Sequence, residues 1–178
     1  MKKILIISTS PRKNSNSDAL AREFARGAAE RGHEVATVSL AGKNIGFCRG
    51  CLACQKLGRC IMRDDADLIE EQMAQADVLV FATPIYYYEM SGQMKTMLDR
   101  ANPMYSKDYR FREVYLLAAA AEDDDHVWAR AASGLEGWIE CFPKSHLAGV
   151  VFAGGVAAEN AIHGHQSLAK AFAMGRNC

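Results

Sequence analysis

Two apolar runs, KILIIS at 3–8 and DVLVFATP at 77–84, place Ile, Leu, Val and Phe on consecutive positions. An extended segment of that kind is hydrophobic on both faces, and it is stable only inside a parallel sheet with helices packed above and below. Three further runs read as strands of the same sheet: HEVATVSL (33–40), EVYLLAAA (113–120) and LAGVVFAGG (147–155). Between them lie stripes at helical spacing. Leu20, Phe24 and Ala28 mark a helix over 17–31, with Gly32 as a left-handed stop. Leu68, Ile69, Met73 and Ala76 follow a cap at Asp64 or Asp65, and Met94, Met97, Leu98 and Ala101 follow Ser91 and end at Asn102-Pro103. Val127, Ala131, Leu135, Trp138 and Phe142 make a fourth stripe, opened by the acids at 123–125, with Cys141 in its core; Leu168 and Phe172 mark a last helix.

Strands that alternate with helices form βαβ units, and right-handed crossovers leave few topologies. The expected fold is α/β, a doubly wound three-layer sandwich on a five-stranded parallel sheet. No repeat, low-complexity tract or Pro/Ser-rich linker interrupts the pattern, so residues 1–178 read as one domain with a cysteine-rich insertion loop at about 41–64. That loop and the connection 103–112 are long enough to be functional or mobile, and both are expected above the sheet.

Charge narrows the partner. Twenty-one basic residues balance twenty-one acidic ones, which argues against nucleic acid or an anionic membrane and for a small neutral partner. The N-terminal apolar run is too short for a signal-peptide core, and no apolar stretch reaches the roughly 18 residues of a membrane span. The chain reads as cytoplasmic, a compartment where clustered cysteines serve metal or redox chemistry rather than structural disulfides.

In a doubly wound sheet, ligands sit outside the carboxyl ends of the strands, where strand order reverses. After the first strand comes STSPRKNSNSD (8–18), five hydroxyl residues, two asparagines, an arginine and a lysine leading into a helix N-terminus. Ser10, Arg12, Ser15, Asn16 and Ser17 suit a phosphate, held by free helix N–H groups, hydroxyls and a two-pronged guanidinium. The stretch 8–26 has no glycine, so it is neither a dinucleotide fingerprint nor a P-loop. After the third long strand comes TPIYYYEMSGQMKTMLDR (83–100), where tyrosines can wall a flat aromatic ligand or pack an interface.

These two stretches, with the cysteine segment CRGCLACQKLGRCIMRDD (48–65), resemble the NADPH-dependent FMN reductases of the flavodoxin-like superfamily and, within it, the iron-sulfur flavoproteins. The resemblance implies strand order 2-1-3-4-5, bound FMN, and reduction of the flavin by NADH or NADPH before electrons pass to a small-molecule or protein acceptor. It maps Ser10, Arg12, Ser15, Asn16 and Ser17 to the FMN phosphate and Pro84, Ile85, Tyr86 and Tyr87 to the flavin ring, with the backbone at Ala119 and Ala120 approaching the same ring. It implies a homodimer or homotetramer in which Tyr87, Tyr88 and Met90 face a partner copy. No side chain is required as acid, base or nucleophile, because the flavin carries the chemistry. Where relatives follow the fourth strand with a glycine-rich loop, this chain has AAAAEDDDH (118–126), whose acids either repel the 2′-phosphate of NADPH or cap the next helix.

Cys48, Cys51, Cys54 and Cys60 stand in a C-x2-C-x2-C-x5-C pattern whose first two gaps match the C-x2-C-x2-C-x3-C-P run of bacterial ferredoxins, while the last gap is longer and no proline follows. The resemblance implies that such a segment holds a [4Fe-4S] cluster in some members, and Gly50 and Gly58 allow the tight turns it needs. Three readings stay open for them: a cluster, reversible thiol redox, or inert thiols. HGH at 163–165 reads as a loop before the last helix.

Overall fold

The computed structural model describes residues 1–178. Strand β1 (Lys3–Ser8) lies between the edge strand β2 (Glu34–Ser39) and the central strand β3 (Val78–Tyr86), all parallel. A two-residue strand β4 (Glu89–Met90) folds back antiparallel on the end of β3, and β5 (Glu113–Ala119) and β6 (His146–Ala153) continue the parallel sheet beyond β3. The path β2-β1-β3-β5-β6 is the expected 2-1-3-4-5 once the parallel strands alone are counted.

Six helices complete the chain: α1 (Asn16–Glu30), α2 (Ala53–Leu57), α3 (Asp65–Gln75), α4 (Gly92–Arg100), α5 (Ala129–Ile139) and α6 (Gln166–Asn177). The period-2 pleat of each apolar run divides its residues between two cores. Ile4, Ile6, Val78, Val80 and Leu117 pack with Leu20 and Phe24 of α1 and Ala171 of α6. Leu5, Ile7, Leu79, Phe81 and Leu116 pack on the opposite face with Met73 of α3, Met97 of α4 and Leu135 of α5. Helices α1 and α6 touch backbone to backbone at Gly27 and Gly175, where a methyl group would lie 2.1 Å from the Phe172 carbonyl oxygen and 2.0 Å from that of Phe24.

Four expectations need correction. The connection 103–112 does not lie above the sheet. It leads from α4 into the amino end of β5, and it is packed: Phe111 is fully buried and stacks 5.9 Å from Trp138, while Lys107 pairs with Glu70 at 3.1 Å. The helix expected from Val127 begins at Ala129, because Asp124 accepts from the His126 N–H and tightens Asp125–Val127 into a 3-10 turn. Cys141 falls beyond the end of α5 and is exposed, not core. Met90 is buried beside Gly134 and belongs to the core rather than to the exposed surface of the hairpin.

Candidate functional site

The carboxyl ends of β1, β3 and β5 and the loop after β6 enclose a cavity of about 270 Å³. Ser10, Arg12, Ser15, Asn16 and Ser17 line one side; Pro84, Ile85, Tyr86, Ala119 and Ala120 line the other. Of the residues singled out from sequence, Tyr87 alone is not on this wall. It sits at the β3–β4 hairpin tip, 97% exposed, with a left-handed backbone (φ 51°).

The polar side carries the donors that an anion requires. The Ser15 side chain makes no cap hydrogen bond, and the first backbone hydrogen bond of α1 runs from Ala19 N–H to the Ser15 carbonyl at 3.1 Å. The N–H groups of Asn16, Ser17 and Asp18 are thereby left for a ligand, at the positive end of a 15-residue helix. Ser15 and Ser17 share a hydroxyl contact of 2.9 Å, and Ser10 accepts from the Arg12 N–H. Beside the cavity, burial pushes the Asp18 carboxyl above its ordinary range, even though Ser8 donates to it and Arg22 lies near.

A fourth wall was not anticipated. Val156, Ala157 and Glu159, from the loop after β6, complete the cavity lining. Asn16 stitches that loop to α1: its Nδ2 donates to the carbonyls of Val156 (2.9 Å) and Ala158 (2.8 Å), and its Oδ1 accepts from Ile162 N–H. Arg12 adds a bond to the Ala157 carbonyl at 3.0 Å. The available signals were Gly154-Gly155 at a strand end and a buried asparagine in need of partners. Gly154 has no room for a side chain because Asp123 packs 2.6 Å from where its Cβ would be.

The apolar side is fixed by hydroxyls at the strand ends. Thr9 and Ser91 meet at 2.9 Å, Ser91 N–H donates to Thr83 Oγ1 at 3.0 Å, and Ser91 Oγ accepts from Met94 N–H to cap α4. The hairpin is then tied across to the segment after β5. Tyr88 donates to Glu122 at 3.0 Å, stacks on His126 at 5.5 Å between centroids and lies under Arg130. That hydrogen bond to Glu122 holds the Tyr88 hydroxyl pKa above its ordinary value. Among the acids at 122–125, Glu122 is thus a hairpin contact and Asp124 a cap.

Cys48, Cys51, Cys54 and Cys60 line a second cavity, of about 30 Å³, that shares no residue with the first. Leu52 and Gly58, both left-handed, bracket α2 and turn the segment back on itself. The segment hangs on Arg100, whose side chain is 1% exposed. Its Nη1 donates to Asp64 Oδ2 (2.6 Å) and the Gly46 carbonyl (2.9 Å), and its Nη2 to Asp64 Oδ1 (2.9 Å). Burial raises the Asp64 carboxyl, but Arg100 and the N–H groups of Gly46 and Ala66 more than offset this and hold it below its ordinary range. A space of this size suits a single water, and no three His, Cys, Asp or Glu side chains converge to grip a metal ion. The donor chemistry nonetheless fits an iron-sulfur group: four thiols on one cavity, an Asn102 amide 3.0 Å from Cys54 Sγ, and a buried Arg100 Nε with no partner.

Residues 2–161 match the family model described as NADPH-dependent FMN reductase. An iron-sulfur flavoprotein of Methanocaldococcus jannaschii is 38% identical over 102 residues, 57% of this chain and 53% of that protein. One from Archaeoglobus fulgidus is 34% identical over 124 residues, 70% of this chain and 63% of that protein. The matched part thus spans about half the length of the first of these relatives. An azoreductase structure from Bacillus anthracis superposes with a TM-score of 0.74 at 16% identity, covering 100% of both chains, which agrees with the fold. No helix is long and apolar enough to cross a membrane.

Proposed function

The chain belongs to the NADPH-dependent FMN reductase family, and we propose that it is an FMN-dependent NAD(P)H oxidoreductase acting as one FMN-binding domain. The observation that carries this is the strand-end cavity, where an uncapped helix N-terminus and an apolar wall meet in one space. Bound FMN supplies hydride and electron transfer between a nicotinamide and an acceptor. The chain's own residues bind and orient it. The N–H groups of Asn16, Ser17 and Asp18, with the hydroxyls of Ser10, Ser15 and Ser17, hold the phosphate, and Arg12 adds a charge-assisted contact. Asn16 contributes its N–H, because its amide holds the fourth wall. Pro84, Ile85, Tyr86, Ala119 and Ala120 flank the ring and exclude water from it. Tyr87, outside the cavity and exposed, is assigned to contact with a second copy in a dimer or tetramer. The acceptor is a small molecule or a protein, and one shared cavity for donor and acceptor gives ping-pong kinetics.

Mixing the FMN-loaded protein anaerobically with NADH or NADPH tests this. Rapid bleaching of the flavin band is expected. Indifference to both nicotinamides, together with reduction by a ferredoxin, would instead establish a non-enzymatic electron carrier.

That second reading has its own support in the cysteine cavity and in the relatives' names as iron-sulfur flavoproteins. In it Cys48, Cys51, Cys54 and Cys60 hold a [4Fe-4S] cluster that supplies one-electron transfer.

A further inference from the structure

Arg100 has five N–H donors, and its terminal nitrogens are committed to Asp64, Gly46 and, at 3.4 Å, the Met62 carbonyl. Its Nε–H is buried with no acceptor. The same guanidinium lines the cysteine cavity with all four thiols, and Asn102, two residues on, already donates to Cys54 Sγ. Neutral thiol sulfur is a weak acceptor, whereas a charged, metal-ligated sulfur is a strong one. A buried cationic donor left open beside sulfur atoms therefore matches the anionic form of the site better than the thiol form. The carboxylates near the guanidinium are Asp64 and, 4.0 Å from Nη2, Asp67; the segment itself adds Arg49, Lys56, Arg59 and Arg63.

We propose that Arg100 and Asn102 are positioning residues for an iron-sulfur cluster in this cavity, with Arg100 Nε–H and Asn102 Nδ2–H donating to its cysteine sulfurs. The proposal rests on the cluster reading of the cysteine segment. Hydrogen bonds to ligating sulfur stabilise the reduced, more negative state, so these two donors raise the reduction potential and slow cluster loss.

The test compares wild type, Asn102→Ala and Arg100→Lys after anaerobic reconstitution, reading iron and sulfide content, midpoint potential by EPR-monitored titration, and FMN content. FMN content reports the fold, since the two cavities share no residue. The expected result is about four iron per wild-type chain, with variants that keep FMN but show a more negative potential and faster iron loss in air. Wild-type iron with unchanged potential and retention in FMN-replete variants overturns the proposal and leaves the cluster reading standing. Absence of iron in reconstituted wild type overturns both. If Arg100→Lys loses FMN, Asn102→Ala decides alone.

Discussion

The strand-end cavity is walled by the carboxyl ends of β1, β3 and β5, each hydrogen-bonded to neighbours on both sides. The cysteine cavity hangs instead from the segment after edge strand β2, held chiefly by one buried guanidinium. They lie near opposite ends of α4: Ser91 at its start joins the strand-end hydroxyls, and Arg100 is its last residue, nine residues on and about 13 Å away. The first site is a by-product of the sheet, with many redundant supports. The second rests on few contacts, chiefly the Arg100–Asp64 pair, with Asn102 on Cys54 and Asn44 on Asp65 beside it. Their acids also behave oppositely, since Asp18 titrates above and Asp64 below the ordinary carboxylate range.

The sharpest break in this contrast is Arg100→Leu. It leaves Asp64 buried without its cation, a loss of about 3–5 kcal/mol and roughly 6–20 °C in melting temperature. Limited proteolysis is expected to open 41–63 first, while the folded fraction keeps its FMN affinity; parallel loss of FMN would show that the two sites are one unit.

Gly175→Ala attacks the other side. The added methyl group meets the Phe24 backbone and forces α6 off α1, at about 1–3 kcal/mol. The melt should fall with no new cleavage in 41–63, and early cleavage there would contradict the separation.

Arg12→Ala is expected to weaken FMN binding at least tenfold, from the loss of a charge-assisted contact worth about 1.5–3 kcal/mol. Unchanged titrations would mean that Arg12 serves only the Ala157 carbonyl.

The smallest effect concerns Asp18. Because the native state holds this proton more tightly than the unfolded chain does, the group's stabilising contribution is full below about pH 4 and is lost as pH rises through the raised native pKa. Asp18→Asn should therefore raise the melting temperature at pH 7 and not at pH 3.5. Asp64 has the opposite sign: its contribution is present above about pH 4 and lost only as pH falls through its lowered native value. An Asp18→Asn variant no more stable than wild type at pH 7 would remove this contrast.

The strands and the polar loop before α1 were readable in sequence because buried parallel strands need continuous apolar runs and a helix N-terminus needs Ser, Asn and Asp, whereas the strand order came only from the family resemblance. The hairpin was not. Tyr87 and Tyr88 take left-handed backbones that favour glycine, so YYYE carries no turn signal. Helix α2 has five residues, too few to show a period, and begins at a left-handed Leu52. The wall at 156–159 comes from a loop whose placement depends on Asn16, 140 residues earlier, a tertiary contact with no local pattern. Arg100 falls inside the 94–101 helix with nothing in the sequence to single it out, and only the packed fold shows it to anchor the cysteine segment.

FMN titration of a chain combining Cys48→Ala, Cys51→Ala, Cys54→Ala and Cys60→Ala tests the independence of the two cavities most directly. Affinity within about twofold of wild type, under 0.5 kcal/mol, is the expected result. A loss of tenfold or more, about 1.4 kcal/mol, would contradict it and make the cysteine segment part of the flavin site.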